Sequence, residues 1–498
     1  MRKLLLAVLM VVLIAMPAFA SVQNVKVNGA IDNTWVVRDN FDLGLRDATP
    51  SPGAGTQFYQ NMLITQVMLG VSANLTDNVD AVIQILNEAS WESNSANAAS
   101  LVVSQAYTKL GEFLYSPLTL YIGRQPLRYG NALIVGDPNT NNLATGTGIA
   151  LIAADLSKQK AFDAVRAVLD YNPLTIDLVA AKISPSLLTG ARSPNDDINL
   201  FGVNANYKLG DSRNTEADVY FFSRIDNTFK TAATTATGGI DADTVYTPGV
   251  LIRTNPIKGL NVSGEVAWQF GNKANTASAG AARGDNQKRE AMAAQIITSY
   301  AVPFEKTKKW NPVVAGWGTY LSGDPNPTEA TNHACLGCAH SREKWTGWDP
   351  LFEDQSGGTI YNTLFDYTDS LIAGGSLQVS PIEDVIAKLS LTGLWLSRDL
   401  LSGTSGLAGG TPASGGTFIM RQPDGTAINP VATTNRYIGS EIDADLVYNY
   451  TEDVQFGLSY GVFIPGQLFD VSNTSTAGGN FGNNQNASQW LLNADVAF

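Results

Sequence analysis

The last ten residues, 489–498, read QWLLNADVAF. Trp490, Leu492, Ala494, Val496 and Phe498 share one parity, and Asn493 and Asp495 fall on the other. A period of two is the mark of a strand with one apolar and one polar face. A terminal strand standing alone leaves its backbone N–H and C=O groups unpaired, so this one needs a neighbour on each side. The segment 455–464 supplies one neighbour and the first strand, 22–37, supplies the other, which closes the sheet on itself. In that arrangement Asn493 and Asp495 face the interior beside Lys26, Asn28 and Asp32, and Phe498 faces outward at the rim.

Residues 1–20 carry Arg2 and Lys3, the apolar run 4–16, and Ala18-Phe19-Ala20 before Ser21. A basic start, a short apolar core and a small-residue site predict a secretory signal peptide, with the mature domain spanning 21–498. No later stretch of about 18 consecutive apolar residues exists, so helical spans are excluded and only a closed barrel could cross a bilayer. The net charge of −13 becomes −15 without Arg2 and Lys3, which speaks against a nucleic-acid partner.

Moving upstream from the last strand, the chain offers eighteen strand segments, an even number. Their connections alternate between short and long. The short ones, such as Thr76-Asp77-Asn78, Asn172-Pro173 and Thr451-Glu452-Asp453, hold the residues that tight turns require. The long ones, such as 126–160, 323–370 and 399–436, are rich in Gly, Thr, Ser and Asn. Turns at one end and loops at the other are expected of a transmembrane antiparallel β-barrel with periplasmic turns and extracellular loops.

Facing follows from parity. Val262, Gly264, Val266, Trp268 and Phe270 are expected to face lipid, with Ser263, Glu265 and Gln269 inward. Ile438, Ile442, Ala444, Leu446, Tyr448 and Tyr450 are expected outward, against inward Glu441, Asp443, Asp445 and Asn449. The segments 101–110 and 290–301 alternate poorly and their facing stays open. Aromatic residues gather at strand ends, with Tyr121, Tyr171, Tyr207 and Tyr450 on the turn side and Trp35, Trp268, Trp395 and Tyr437 on the loop side. They fit two interfacial girdles.

The aromatic carboxy-terminal strand resembles the closing strand and assembly signal of bacterial outer-membrane barrels, which implies the barrel-assembly machinery as a partner. Tyr121-Ile122-Gly123-Arg124-Gln125-Pro126-Leu127-Arg128-Tyr129-Gly130 and, later, Ala161-Phe162-Asp163-Ala164-Val165-Arg166 resemble the alginate export porin family. Ser322-Gly323-Asp324-Pro325, Trp348-Asp349-Pro350-Leu351-Phe352, Gly439-Ser440-Glu441-Ile442-Asp443 and 460–466 continue the resemblance over most of the mature chain. The resemblance implies an eighteen-stranded channel in the bacterial outer membrane for a saccharide-like, often anionic, solute. It assigns Arg124, Arg128, Asp163 and Arg166 to the pore lining. Arginine suits that role because its planar fork stays charged and grips carboxylates. A structural alternative has Arg124 and Arg128 pairing with Asp137 or Asp163 to fix a folded-in loop.

The expected lumen is acidic, with Asp32, Glu216, Asp218, Glu265, Glu441, Asp443, Asp445 and Asp495 against Lys26, Arg166 and Lys388. Such a wall suits a polyanion only if arginines dominate the narrowest point, and a barrel this wide needs inward loops to select anything. The connections 126–160 and 323–370 are the candidates. The second holds both cysteines and both histidines of the protein, as His333-Ala334-Cys335-Leu336-Gly337-Cys338-Ala339-His340. A Cys335–Cys338 disulfide ring in an extracellular loop is one reading; a zinc or copper(I) site formed by His333, Cys335, Cys338 and His340 is the other.

No nucleophile, base and acid set, phosphate loop or dinucleotide fingerprint occurs, so neither an enzyme nor a cofactor is implied. The sequence therefore reads as a non-enzymatic outer-membrane porin for transport of a small or saccharide-like solute. The alternative is a structural barrel that holds or displays a partner, such as an extracellular electron-transfer component.

Overall fold

Alternating residues separated by Asn-, Asp- and Pro-bearing turns build a continuous antiparallel sheet, seen in a computed structural model of the chain. The structure describes residues 24–44, 59–91, 99–138, 153–184, 197–228, 242–274, 287–303, 310–324, 344–355, 357–399, 418, 420–421, 427–428, 435–469 and 484–498. The expected signal peptide and the cluster of His333, Cys335, Cys338 and His340 lie outside the described residues.

The strands are β1 (Asn24–Asp39), β2 (Tyr59–Thr76), β3 (Val79–Ser90), β4 (Ala99–Leu110), β5 (Leu118–Pro126) and β6 (Ala161–Asp170). Next come β7 (Leu174–Ser184), β8 (Ile198–Lys208), β9 (Glu216–Asp226), β10 (Asp243–Thr254), β11 (Leu260–Lys273) and β12 (Gln287–Ala301). The last are β13 (Val313–Leu321), β14 (Ser370–Ile382), β15 (Val385–Leu396), β16 (Tyr437–Asn449), β17 (Val454–Pro465) and β18 (Ala487–Ala497). The sheet counts 19 strands; one is the two-residue Lys344–Trp345, lying parallel to Lys288 and Arg289, and the other eighteen form the barrel. Each expected segment has its counterpart, with ends moved by a few residues.

Every strand pairs with the next, and β18 pairs back onto β1 with Asp32 opposite Asp495 and Trp35 opposite Leu492. No edge remains for backbone groups to be left unpaired in lipid. At the seam Gly29 N donates to Phe498 O at 2.8 Å and Phe498 N donates to Gly29 O at 3.0 Å. A Cβ on Gly29 would collide with the Phe498 ring, so glycine lets the terminal aromatic lie flat on β1.

The outer face is apolar: Val165, Leu178, Ile252, Leu389, Phe456 and Leu492 are all exposed. Each such side chain gains about 1.5–3 kcal/mol on leaving water, so this surface is made for a bilayer. Tyr171, Tyr207 and Tyr450 form the exposed turn-side girdle, and Trp35, Trp268, Trp395 and Trp490 the loop-side one. A closed barrel with this exterior and a polar interior is an outer-membrane barrel.

Three facing expectations need correction or completion. Tyr121 points inward, where Arg166 stacks on it at 5.4 Å. Ile438 is fully buried, because the pairing of β15 with β16 skips it between Gly439 and Tyr437 and turns it into the interior. The poor alternation of β4 has the same cause: the register shifts between Gln84 and Ile85, leaving Ser104 as the extra residue.

Candidate functional site inside the barrel

Both long connections named as inward candidates enter the barrel. After β5, Pro126 ends the ladder and Gly130, at φ +59°, turns the chain across the lumen. Leu127, Tyr129, Leu133, Ile134 and Val135 are buried against inward residues of the wall, among them Phe162, Leu200, Phe222 and Ala267. Small inward residues such as Ala164, Ala181, Ala291 and Ala293 leave room for this loop. Asn131 N donates to Glu265 Oε2 at 3.0 Å, and Arg253 Nη2 donates to Gly130 O at 2.7 Å.

The second connection crosses the first. Phe352 N donates to Ile134 O at 3.1 Å, Gly136 N donates to Phe352 O at 2.8 Å, and Asp354 N donates to Ala132 O at 3.0 Å. Its Asp349 is gripped by Arg224 at 2.7 Å and Arg289 at 3.3 Å, while Asp243 of β10 holds Arg289 at 2.6 Å. Burial works against the Asp349 carboxylate, but the two guanidiniums keep it well below the usual range. Gln269 and the Asp349 backbone exchange hydrogen bonds at 2.6 and 2.8 Å.

Further along, the short helix Tyr361–Leu364 sits on the acidic wall. Ile360 N and Tyr361 N donate to the two oxygens of Glu441 at 2.8 and 2.7 Å, and Thr359 Oγ1 donates to Asp443 at 2.7 Å. Where the two connections meet, Glu353 is buried. Desolvation, with Asp354 and Asp137 adding to it, lifts its carboxyl to about 8. Burial also opposes the neighbouring Asp354 carboxylate, yet Lys160 and Arg128 hold it below the ordinary value.

The residues singled out from sequence separate into three groups. Arg128 and Arg166 lie inside: Arg128 pairs with Asp354, and Arg166 Nη2 donates to Asp177 at 2.6 Å between the rings of Tyr121 and Tyr129. Glu441 and Asp443 point inward as expected, yet they are buried as anchors for the helix instead of lining open water; Asp445 stays partly open beside Lys388 at 3.8 Å. Arg124 and Asp163 form a bidentate pair, at 2.8 Å for both contacts, on the parity of exposed Ile122 and Val165. That parity is the outer one, so this pair looks away from the lumen. Arg124 pairs with Asp163, but on the outer face, where the pair fixes no folded-in loop; Arg128 holds such a loop through Asp354 and not through Asp137 or Asp163.

Sequence reasoning missed Arg253, Lys158, Lys160 and the Arg224–Asp243–Arg289–Asp349 network. The available signal was Trp348-Asp349-Pro350-Leu351-Phe352, an apolar stretch inside a long loop. Among the described residues, no group of three or more His, Cys, Asp or Glu side chains is arranged to hold a metal.

Six of the interior ion pairs share an asymmetry. Arg128 is 57% exposed and Asp354 16%; Arg253 is 37% exposed and Asp218 6%. Lys158 with Asp32, Lys160 with Asp137, Arg166 with Asp177 and Lys388 with Asp445 repeat the order. In these six pairs the carboxylate is set back and the base is the more exposed partner, whereas Arg38 beside Asp155 and Arg289 beside Asp349 are themselves buried.

The fold is similar to that of the outer membrane protein OpdK of Pseudomonas aeruginosa, with TM-score 0.51 and 9% identity over 96% of this chain and 99% of that one. OpdK crystallised with vanillate gives TM-score 0.50 at 10% identity, with coverage of 96% and 99%. No protein-family model matches the sequence, and no curated protein matches it. At these identities the likeness establishes the fold alone. These neighbours are outer-membrane barrels and not alginate export porins, so the resemblance read from sequence stands at the coarser level of an outer-membrane barrel.

Proposed function

We propose that this chain is an outer-membrane channel that passes small anionic solutes, carboxylates above all, by diffusion through the space its two inward connections leave open. The exposed bases and recessed acids of the interior ion pairs carry this reading. They give the water-filled surface a positive character although the whole chain carries −13. Arg128, Arg166 and Arg253 are the side chains proposed to meet a carboxylate, since each retains N–H donors beyond those its partner uses. The vanillate found with OpdK is in keeping with a small anion. A saccharide acid of the alginate type belongs to the same chemical class.

Planar-bilayer recording of the refolded protein tests the reading. A salt gradient should give a reversal potential on the anion side, and millimolar small carboxylates should interrupt the current. A cation-side reversal potential would overturn it. The apolar clusters within the barrel favour one other reading, a sealed barrel that displays a partner through its loops. Absence of ion current at any voltage would select that reading over the channel.

A further inference from the structure

The outward pair Arg124–Asp163 belongs to a polar rung that runs across four strands. Arg124, Asp163, Lys182 and Asn199 are successive cross-strand partners on β5 to β8, all near the loop end. The next outward rung toward the turns is Ile122, Val165, Ala180 and Phe201, and the one after it includes Ala167, Leu178, Val203 and Phe221. Charge thus gives way to hydrocarbon within two residues, a step of about 7 Å along a strand. Such a step marks the headgroup level, and at the loop end of an outer-membrane barrel this is the outer leaflet.

Immediately below the polar rung the surface is grooved. A cavity of about 420 Å³ opens between exposed Val165, Leu178, Phe201 and Phe221, with Ala167 and Ala180 too short to fill it. Its lining is almost wholly apolar and its level lies inside the hydrocarbon band. Above it, Lys182 donates to Asn199 at 2.9 Å and to Asp197, which leaves one of its three N–H donors free. Arg124 uses Nε and Nη2 on Asp163 and Nη1 on Val103 O at 3.0 Å, and its remaining N–H groups are open to the outside. The two carboxylates balance the two bases, so a headgroup is drawn by the free donors of the rung, not by net charge.

We propose that this groove seats one acyl chain of a phosphorylated outer-leaflet glycolipid, with the phosphate against Lys182 and Arg124. The site lies on the outside of the barrel and is independent of what the lumen conducts, so its failure would leave the channel reading intact. The probe is lipopolysaccharide mixed with phosphatidylethanolamine in vesicles holding the full chain, followed by extraction into a delipidating detergent and native mass spectrometry. The wild type should retain one lipopolysaccharide per barrel. Ala180→Phe, or the gentler Ala180→Leu should the first fail to fold, should cut retention at least tenfold. Ala444→Phe, outward on a distant strand, should not. Lys182→Gln with Arg124→Gln should lower retention while leaving the heat-modifiable barrel intact. Retention of phosphatidylethanolamine in place of lipopolysaccharide would overturn the assignment. So would equal retention by wild type and Ala180→Phe, or a two-chain assembly that Ala180→Phe converts to single chains.

Discussion

Removing the Glu441 side chain tests whether the acidic wall serves the inward connection. Glu441 is fully buried and its two oxygens accept from Ile360 N at 2.8 Å and Tyr361 N at 2.7 Å. Glu441→Ala leaves two buried donors without partners, at a cost of about 1–3 kcal/mol each. The apolar contacts of Ile360, Tyr361 and Leu364 remain, so the segment stays docked on average. A loss of about 2–6 kcal/mol raises its undocked population by a factor of about thirty to twenty thousand, at about 1.4 kcal/mol per tenfold change. Amide hydrogen exchange at Ile360 and Tyr361 in the refolded barrel reads this directly. Protection should fall by at least thirtyfold while strand amides of β16 keep theirs, and channel noise should rise. Protection unchanged within threefold would refute the anchoring role and return Glu441 to the pore wall.

Arg128→Ala and Arg166→Ala should each shift the reversal potential toward cations, whereas Arg124→Ala, on the outer face, should leave it unchanged; the reverse order would place Arg124 in the lumen after all. Raising the pH should loosen the crossing of the two connections. Glu353 takes up a proton more readily when docked, with its carboxyl raised to about 8, so docking is strongest below the ordinary glutamate range and weakens as pH rises through about 8. Current fluctuations recorded from pH 6 to 9 should grow with pH, and Glu353→Gln should flatten that dependence. Gly29→Val forces the Phe498 ring off β1 and should lower the temperature at which the folded band disappears in detergent gels. Deleting Phe498 should reduce surface assembly in cells, as expected if the terminal strand is what the assembly machinery reads.

What the sequence determined was the barrel. The parity of 489–498, the eighteen segments and the alternation of turns with loops are local properties, and each strand's facing is settled by its own period of two. Val266, Trp268 and Phe270 outward with Glu265 and Gln269 inward came straight from that period. It failed where an extra residue interrupts a ladder, at Ser104 and Ile438, since a register shift depends on the partner strand.

The site was less legible because an inward connection has no period. That 126–160 and 323–370 would fill the lumen followed from barrel width and loop length, but their partners come from strands far away in sequence. Asp349 meets Arg224 and Arg289, and Arg128 meets Asp354, only when the barrel closes around both loops. Counting inward charges gave an acidic lumen. That count took no account of burial: in pairs such as Arg128–Asp354 and Arg253–Asp218 the short carboxylate is covered while the longer basic side chain reaches past it. Strand parity sets which charges of a regular ladder face inward; only packing decides which of them stay open to water.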